Sequence, residues 1–355
     1  MNTPVARRPA RGAVCLAAVL AVVLSVAGCG GGSTDTPDGV DISSGSRHLN
    51  VVAYAIAKNG FDALIPAFRE TRAGSDIGFS SSFGASSDQS RKVARGLPAD
   101  LVALSVEPDV TRLVSAGVVA PDWKRQAPHG SVPFGSVVVF VVRTGNPLGI
   151  RGWDDLLRPG VEVVTPNPGS SGSAKWNLLA PYAAASDGGR DPDAGLGYVR
   201  RLVRDHVRIL PKSGREATSA FQQGQGDVLI SYENEAKMLA RKTRDAPAGD
   251  RIDYVVPETT FKIENPVAVT TVGGDPAAAR DFRDFLFSAR GQELWARAGF
   301  RPSDPTVAAR TAGDFPGRIS RLWTVADLGG WPTVDERLFG TDGAITRVYE
   351  SEAGR

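Results

Sequence analysis

The chain has 355 residues, more than a typical single domain needs, and its composition, 42% hydrophobic and 23% charged, is that of a soluble globular protein. Forty glycines and 24 prolines signal many turns, and 41 Lys and Arg against 39 Asp and Glu give a formal charge of +2. No basic stripe with interleaved aromatics runs along the chain, so nucleic-acid binding has no support in it.

Residues 1–28 read as a signal peptide. Arg7, Arg8 and Arg11 precede an apolar run from Ala13 to Val26, and small residues follow. The run is too short and too rich in alanine for a permanent span. It ends in Leu24-Ser25-Val26-Ala27-Gly28-Cys29, which resembles a bacterial lipobox. That resemblance implies cleavage before Cys29, diacylation of its thiol, and a protein tethered to the outer face of the cytoplasmic membrane. Two acyl chains anchor stably where one is marginal. Cys15 leaves with the signal, so no disulfide is expected, and 38 basic residues then face 39 acidic ones. The stretch 29–47 is poor in apolar residues and rich in Gly, Ser and Asp, which predicts a flexible tether.

From Leu49 the pattern alternates. Leu49–Tyr54 predicts a buried strand, and Phe61, Leu64, Ile65 and Phe68 recur at helical spacing. Ile77–Ser80 and Asp100–Leu104 read as further strands, each followed by a helix (Gln89 to Val93; Pro108 to Ala116). Val132–Val142 is a long β-branched run suited to a strand that crosses between two lobes. Trp153–Leu157 is a short helix, Val161–Thr165 a strand, and a helix starts near Ala174. A helix at Tyr198–Val207 and the strand Asp227–Tyr232 come next, and Tyr254–Val269 reads as the return crossing. Phe282–Phe287, Gln292–Ala298 and Arg318–Leu322 supply terminal helices. Strands alternating with helices predict an α/β chain of two lobes, each a mainly parallel sheet flanked by helices, with ligand at the carboxyl ends of the strands. The expected division is 48–136 with 262–355 for lobe I and 137–261 for lobe II.

Three small-residue loops occupy junctions between a strand or loop and a helix: Ser81–Ser87, Gly169–Ser173 and Ser213–Thr218. The first N–H groups of a helix lack intrahelical partners and carry partial positive charge, so such a junction can take an anion. The plainer alternative is an ordinary turn with a serine cap. Gly169-Ser-Ser-Gly-Ser-Ala-Lys-Trp176 lacks the Gly-Lys-Ser/Thr ending of a nucleotide P-loop.

Five segments together, Thr165–Asn177 (TPNPGSSGSAKWN), Gly226–Glu235 (GDVLISYENE), Phe83–Gln89 (FGASSDQ), Arg143–Pro147 with Trp153–Val163, and Gly299–Pro302 (GFRP), resemble the sulfate-binding proteins of bacterial ABC importers. The resemblance implies a two-lobed type II periplasmic-binding-protein fold that holds an oxyanion in its cleft with neutral donors. It implies sulfate as ligand, and an ABC permease with its ATPase as partner. Residue by residue it assigns Ser86 to the first-lobe serine, Ser171 to a hydroxyl donor, and Gly172 and Ser173 to backbone N–H donors. Gly214 is a further N–H donor, Ala55 stands where the family has aspartate and keeps its N–H, and Tyr232 stands where the family usually has a donating tryptophan. Ser173 replaces a glycine.

Thiosulfate, molybdate or tungstate, and phosphate are the alternative ligands on the same fold. A surface hydrolase is the remote alternative. His48, His129 and His206 neighbour no candidate nucleophile and no G-x-S-x-G elbow is present. No cluster has metal-ligand spacing. The expectation is a monomeric receptor that is not an enzyme and carries no cofactor or metal.

Overall fold

The computed structural model describes residues 42–247 and 250–353. The expected signal peptide, Cys29 and most of the tether lie outside these residues. In chain order, β1 (Arg47–Tyr54), α1 (Lys58–Arg69), β2 (Ile77–Gly84), α2 (Ser86–Ala94), β3 (Leu101–Ala103) and α3 (Glu107–Ser115) alternate. A single turn, α4 (Pro128–Ser131), precedes β4 (Phe134–Arg143). Then come β5 (Val163–Val164), α5 (Gly172–Ala185), α6 (Pro192–Arg201), α7 (Gly214–Gln222), β6 (Val228–Tyr232) and α8 (Glu233–Lys242). β7 (Ile252–Val255), β8 (Thr259–Asn265) and β9 (Val267–Val269) lead to α9 (Pro276–Phe287), α10 (Ala289–Arg297) and β10 (Arg301–Pro302). α11 (Pro305–Arg310), β11 (Arg321–Trp323), α12 (Gly330–Val334) and α13 (Ala344–Ala353) finish the chain.

The strands form two sheets. The first has the order β2-β1-β3-β9, parallel except where β3 meets β9. The second has the order β11-β8-β4-β6-β5, with β10 and β7 also paired to β4. β4 begins against β8 and β10 (Phe134–Val137) and ends against β6 and β7 (Val138–Arg143), so it changes partners halfway along its length. Its continuous apolar run follows from burial on both faces. Val138, Phe140 and Val142 enter one core cluster while Val137, Val139 and Val141 enter another.

The helical spacing of Phe61, Leu64, Ile65 and Phe68 puts one face of α1 into an aromatic cluster. Phe61 meets Trp295 edge-on at 5.4 Å, Phe68 and Phe79 each lie 5.0 Å from Phe282, and Trp295 stacks on Phe134 at 3.8 Å. Gly60 allows this approach: a Cβ there would stand 2.0 Å from the Trp295 ring. α5 differs, being buried nearly all round, from Gly172 to Ala183.

The helix expected over Arg318–Leu322 is not formed. Gly317, at φ +118, turns the chain after Pro316, and Arg321–Trp323 runs as β11 parallel to β8. β11 and α13, which rests on α6, therefore accompany the second sheet. No helix among the described residues is long and apolar enough to cross a membrane.

Two stability predictions follow from this packing. Trp295→Ala removes the stacked and edge contacts at the heart of the first sheet's core, and denaturant titration is expected to show a loss of about 3–5 kcal/mol. Asp275 caps α9 through the Ala278 N–H at 3.0 Å and receives the Arg47 guanidinium on both oxygens. The Arg47 hydrogen bond, then the cap, hold its pKa down at about 2. A depressed carboxylate pKa stabilises above the unfolded value and loses that contribution as pH falls towards the folded one. Because the pair is partly exposed, the cap dominates. Asp275→Ala is expected to cost about 1 kcal/mol at pH 7, and the difference from wild type should shrink between pH 4 and pH 2.

Candidate functional site

The registers bring the loops together. Tyr54 at the end of β1 lies beside Gly84 at the end of β2, and Ala53 beside Ala103 of β3. Each of the three strands hands over to a helical segment on the same edge. From the other sheet's side, the starts of α5 and α7 face this edge. The result is a narrow cavity lined by Tyr54, Ala55 and Ile56; by Gly84, Ala85 and Ser86; by Ser105; and by Ser171, Ser173, Ser213 and Gly214. None of these lining residues carries a charge. Larger hollows elsewhere, such as the one walled by Arg151, Asp154 and Glu258, mix both signs of charge.

Four helical starts point at this space. Ala55 opens the 3₁₀ turn that runs into α1, Ser86 is the first residue of α2, Gly172 of α5 and Gly214 of α7. Their N–H groups have no partner inside their own helices. Each α-helix adds roughly half a positive charge at its start. Of the expected site residues, Ala55, Ser86, Ser171, Ser173 and Gly214 line the cavity. Gly172 backs onto it: a Cβ there would come within 2.8 Å of Ser105 Cβ and 3.2 Å of Ser86 Cβ. Gly214 is equally constrained, its added Cβ falling 2.6 Å from Ile56 Cδ1 and 2.9 Å from Ser173 Oγ.

The side chains are not equivalent. Ser171 occupies the N-cap position of α5 but makes no capping bond; its Oγ lies 2.7 Å from Ser173 Oγ. Ser213 does cap, accepting the Glu216 N–H at 3.2 Å. Ser86 Oγ donates to buried Asp109 Oδ2 at 2.6 Å and accepts the Ser105 N–H at 2.9 Å. The hydroxyl proton of Ser86 is thus committed, and its backbone N–H remains for a guest. Arg112 holds the other oxygen of Asp109 at 2.8 Å. Ser173 sits inside α5, outside the positive-φ region, so replacing the family glycine imposes no backbone strain.

Tyr232 does not line the cavity. It is fully buried, with its hydroxyl 2.7 Å from Ser105 Oγ. Burial pushes the phenols of Tyr54 and Tyr232 up, keeping both protonated at neutral pH. Ser105 was not singled out from sequence. Its signal was its position, two residues beyond β3 at the same sheet edge as the other loops.

Charged neighbours stay outside the lining. Asp88 pairs with Arg91, Glu216 accepts the Lys212 N–H at 3.0 Å, and Asp227 accepts the Glu162 N–H at 2.9 Å. Arg215 turns away to donate to the Ala55 carbonyl at 3.3 Å. Burial raises the pKa of nearby Glu235, opposed chiefly by the charge of Arg215. His48 meets Ser80, and His206 meets the Val161 carbonyl. Among the described residues no cluster of His, Cys, Asp or Glu suits a metal ion.

Hydrogen bonds join the two sides across the cavity. Ser87 N–H donates to the Ser170 carbonyl at 3.1 Å, Arg91 reaches the Gly169 carbonyl, and Trp176 Nε1 donates to the Ser105 carbonyl at 2.8 Å.

Comparison with known proteins places the chain in a family. Residues 49–301 match the family described as bacterial extracellular solute-binding protein. The chain is 36% identical over 343 residues to the sulfate-binding protein of Synechococcus elongatus, covering 94% of this chain and 95% of that one. It is 34% identical to the thiosulfate-binding protein of Pseudomonas aeruginosa, over 84% and 91% of the two chains. Among solved structures, the sulfate-binding protein SubI from Mycobacterium tuberculosis superposes with a TM-score of 0.79 at 56% identity, covering 83% of this chain and 100% of that one. These relatives are named as binding proteins, not as enzymes. The chain, of two-sheet α/β architecture with helix starts gathered at one cavity, belongs to the bacterial extracellular solute-binding proteins, a family that works outside the cytoplasm.

Proposed function

We propose that the protein binds sulfate in this cavity and delivers it to an ABC permease and its ATPase, as a monomer anchored to the outer face of the membrane through Cys29. The observation that carries the reading is the convergence of four helical starts on one uncharged cavity. The names of the relatives support sulfate or thiosulfate as the guest. In this reading the first lobe is built on β2-β1-β3-β9 and the second on the β4, β5 and β6 side. β4 and β8 serve as the strands between them.

An unpaired dianion is prohibitively costly to bury, so every oxygen must be met by a donor. The donors assigned are the N–H groups of Ala55, Ser86, Gly172, Ser173 and Gly214 and the hydroxyl of Ser171. Hydrogen bonds with one ionised partner contribute about 1.5–3 kcal/mol each. Several of them reach the roughly −8 kcal/mol of a micromolar ligand once association is offset. Hydrogen phosphate brings a proton of its own, and where the serine oxygens of the lining are turned to other partners that proton is left unpaired at about 1–3 kcal/mol.

The test is calorimetry and thermal melting across a panel of oxyanions. Sulfate or thiosulfate at a hundredfold over its dissociation constant is expected to add about 2.7 kcal/mol of stability. A response to molybdate or phosphate with none to sulfate or thiosulfate overturns the assignment.

Gly172→Ala is expected to weaken sulfate at least tenfold, since the new methyl meets Ser105 and Ser86 across the cavity. The melting temperature without ligand is expected to fall as well, since a Cβ 2.8 Å from Ser105 Cβ forces the packing there to shift. Unchanged affinity in that variant removes Gly172 from the site.

A further inference from the structure

We infer that Ser105 is a direct hydroxyl donor to the bound oxyanion, and that Tyr232 is a positioning residue that fixes which way the Ser105 hydrogen points. The inference rests on the oxyanion reading above and adds to it one contact and one specificity device.

Ser105 is fully buried, lines the cavity, and has both backbone groups engaged. Its N–H donates to Ser86 Oγ at 2.9 Å, and its carbonyl accepts Trp176 Nε1 at 2.8 Å and Asn265 Nδ2 at 3.0 Å. Three elements therefore clamp the residue, and only the hydroxyl is left to choose a direction.

The surrounding groups determine that direction. The Ser105 carbonyl can only accept, so the Asn265 atom facing it is the amide nitrogen. Asn265 Oδ1 then faces the Tyr54 hydroxyl at 3.0 Å, which donates to it. The Tyr232 hydroxyl is fully buried, and its hydrogen-bond partner is Ser105 Oγ at 2.7 Å. A buried phenolic hydrogen needs an acceptor, and the one its hydroxyl meets is Ser105 Oγ. The opposite arrangement, with Ser105 donating to Tyr232, strands a buried phenolic hydrogen with no acceptor, a substantial penalty. Ser105 Oγ thus receives from Tyr232, and its hydrogen is left for the cavity. The directed bond from Tyr232 to Ser105 turns this wall into a donor.

The position of Tyr232 is consistent with such a role. Its ring packs against Tyr54 at 6.2 Å, one side chain behind the cavity wall, and the hydroxyl reaches no further than Ser105. Without the phenol, the Ser105 hydroxyl can rotate and offer a lone pair to a protonated guest.

The experiment is calorimetry on the full chain in detergent, with sulfate and with phosphate at pH 8, for wild type, Ser105→Ala, Tyr232→Phe and the double variant, with unliganded melting curves as the fold control. Ser105→Ala is expected to weaken sulfate about tenfold. Tyr232→Phe should weaken it by less, about threefold, while narrowing the preference for sulfate over phosphate at least threefold. Adding Tyr232→Phe to Ser105→Ala should change neither quantity further. Wild-type sulfate affinity in Ser105→Ala, or a Tyr232→Phe effect undiminished in the Ser105→Ala background, overturns this inference and leaves the proposed function standing. A wild-type chain that binds no sulfate overturns both.

Discussion

On the proposed reading, one constraint governs this cavity: a doubly charged oxyanion must be taken out of water without a counter-cation beside it. Isolated charges are too costly to bury, and an ion pair adds the desolvation of a second charge. Helix starts offer a third route. They present several N–H groups that have no other partner, already pointing one way, with partial charge spread over the peptide units. Ala55, Ser86, Gly172 and Gly214 each open a helical segment, and the sheets aim all four at the same volume. Preorganised dipoles of this kind need no rearrangement when the guest arrives.

The same constraint explains the glycines and the hydrogen bonds that span the cavity. Backbone donors act only where backbone can come close, and at Gly172 and Gly214 there is no space for a methyl group. Ser87 to Ser170, Trp176 to the Ser105 carbonyl, and Arg215 to the Ala55 carbonyl tie the two sides together around the guest volume. These contacts use the loops that also supply donors. On the proposed reading, closing the cleft and completing the site are one event, which couples occupancy to shape.

Much of this was legible in the sequence, for identifiable reasons. The apolar runs of β1 and β4, and the i, i+3, i+4, i+7 spacing in α1, are set by burial, and burial is written in residue type. The small-residue loops mark helix starts because turn chemistry is local. What the sequence hid was non-local. Arg318–Leu322 carries no strand signal of its own; its pairing partner, β8, is remote, and only the turn at Gly317 delivers it there. Ser105 is one serine among many until β1, β2 and β3 are laid side by side. Tyr232 was placed by type, as a donor in a tryptophan's position, but its reach depends on the depth at which β6 lies.

The acids near the cavity show why charge was kept out of its lining and not out of its surroundings. Asp109, fully buried, takes the Ser86 hydroxyl proton and is itself held by Arg112. In doing so it fixes Ser86 Oγ as an acceptor, and that oxygen in turn receives the Ser105 N–H. A carboxylate so placed opposes the guest electrostatically at a distance, but it also orders the hydroxyls and amides that form the wall. Arg112 offsets the first effect without diminishing the second. The field at the cavity is thereby left to the helix starts, while side-chain charges act one layer back, where they determine hydrogen-bond direction.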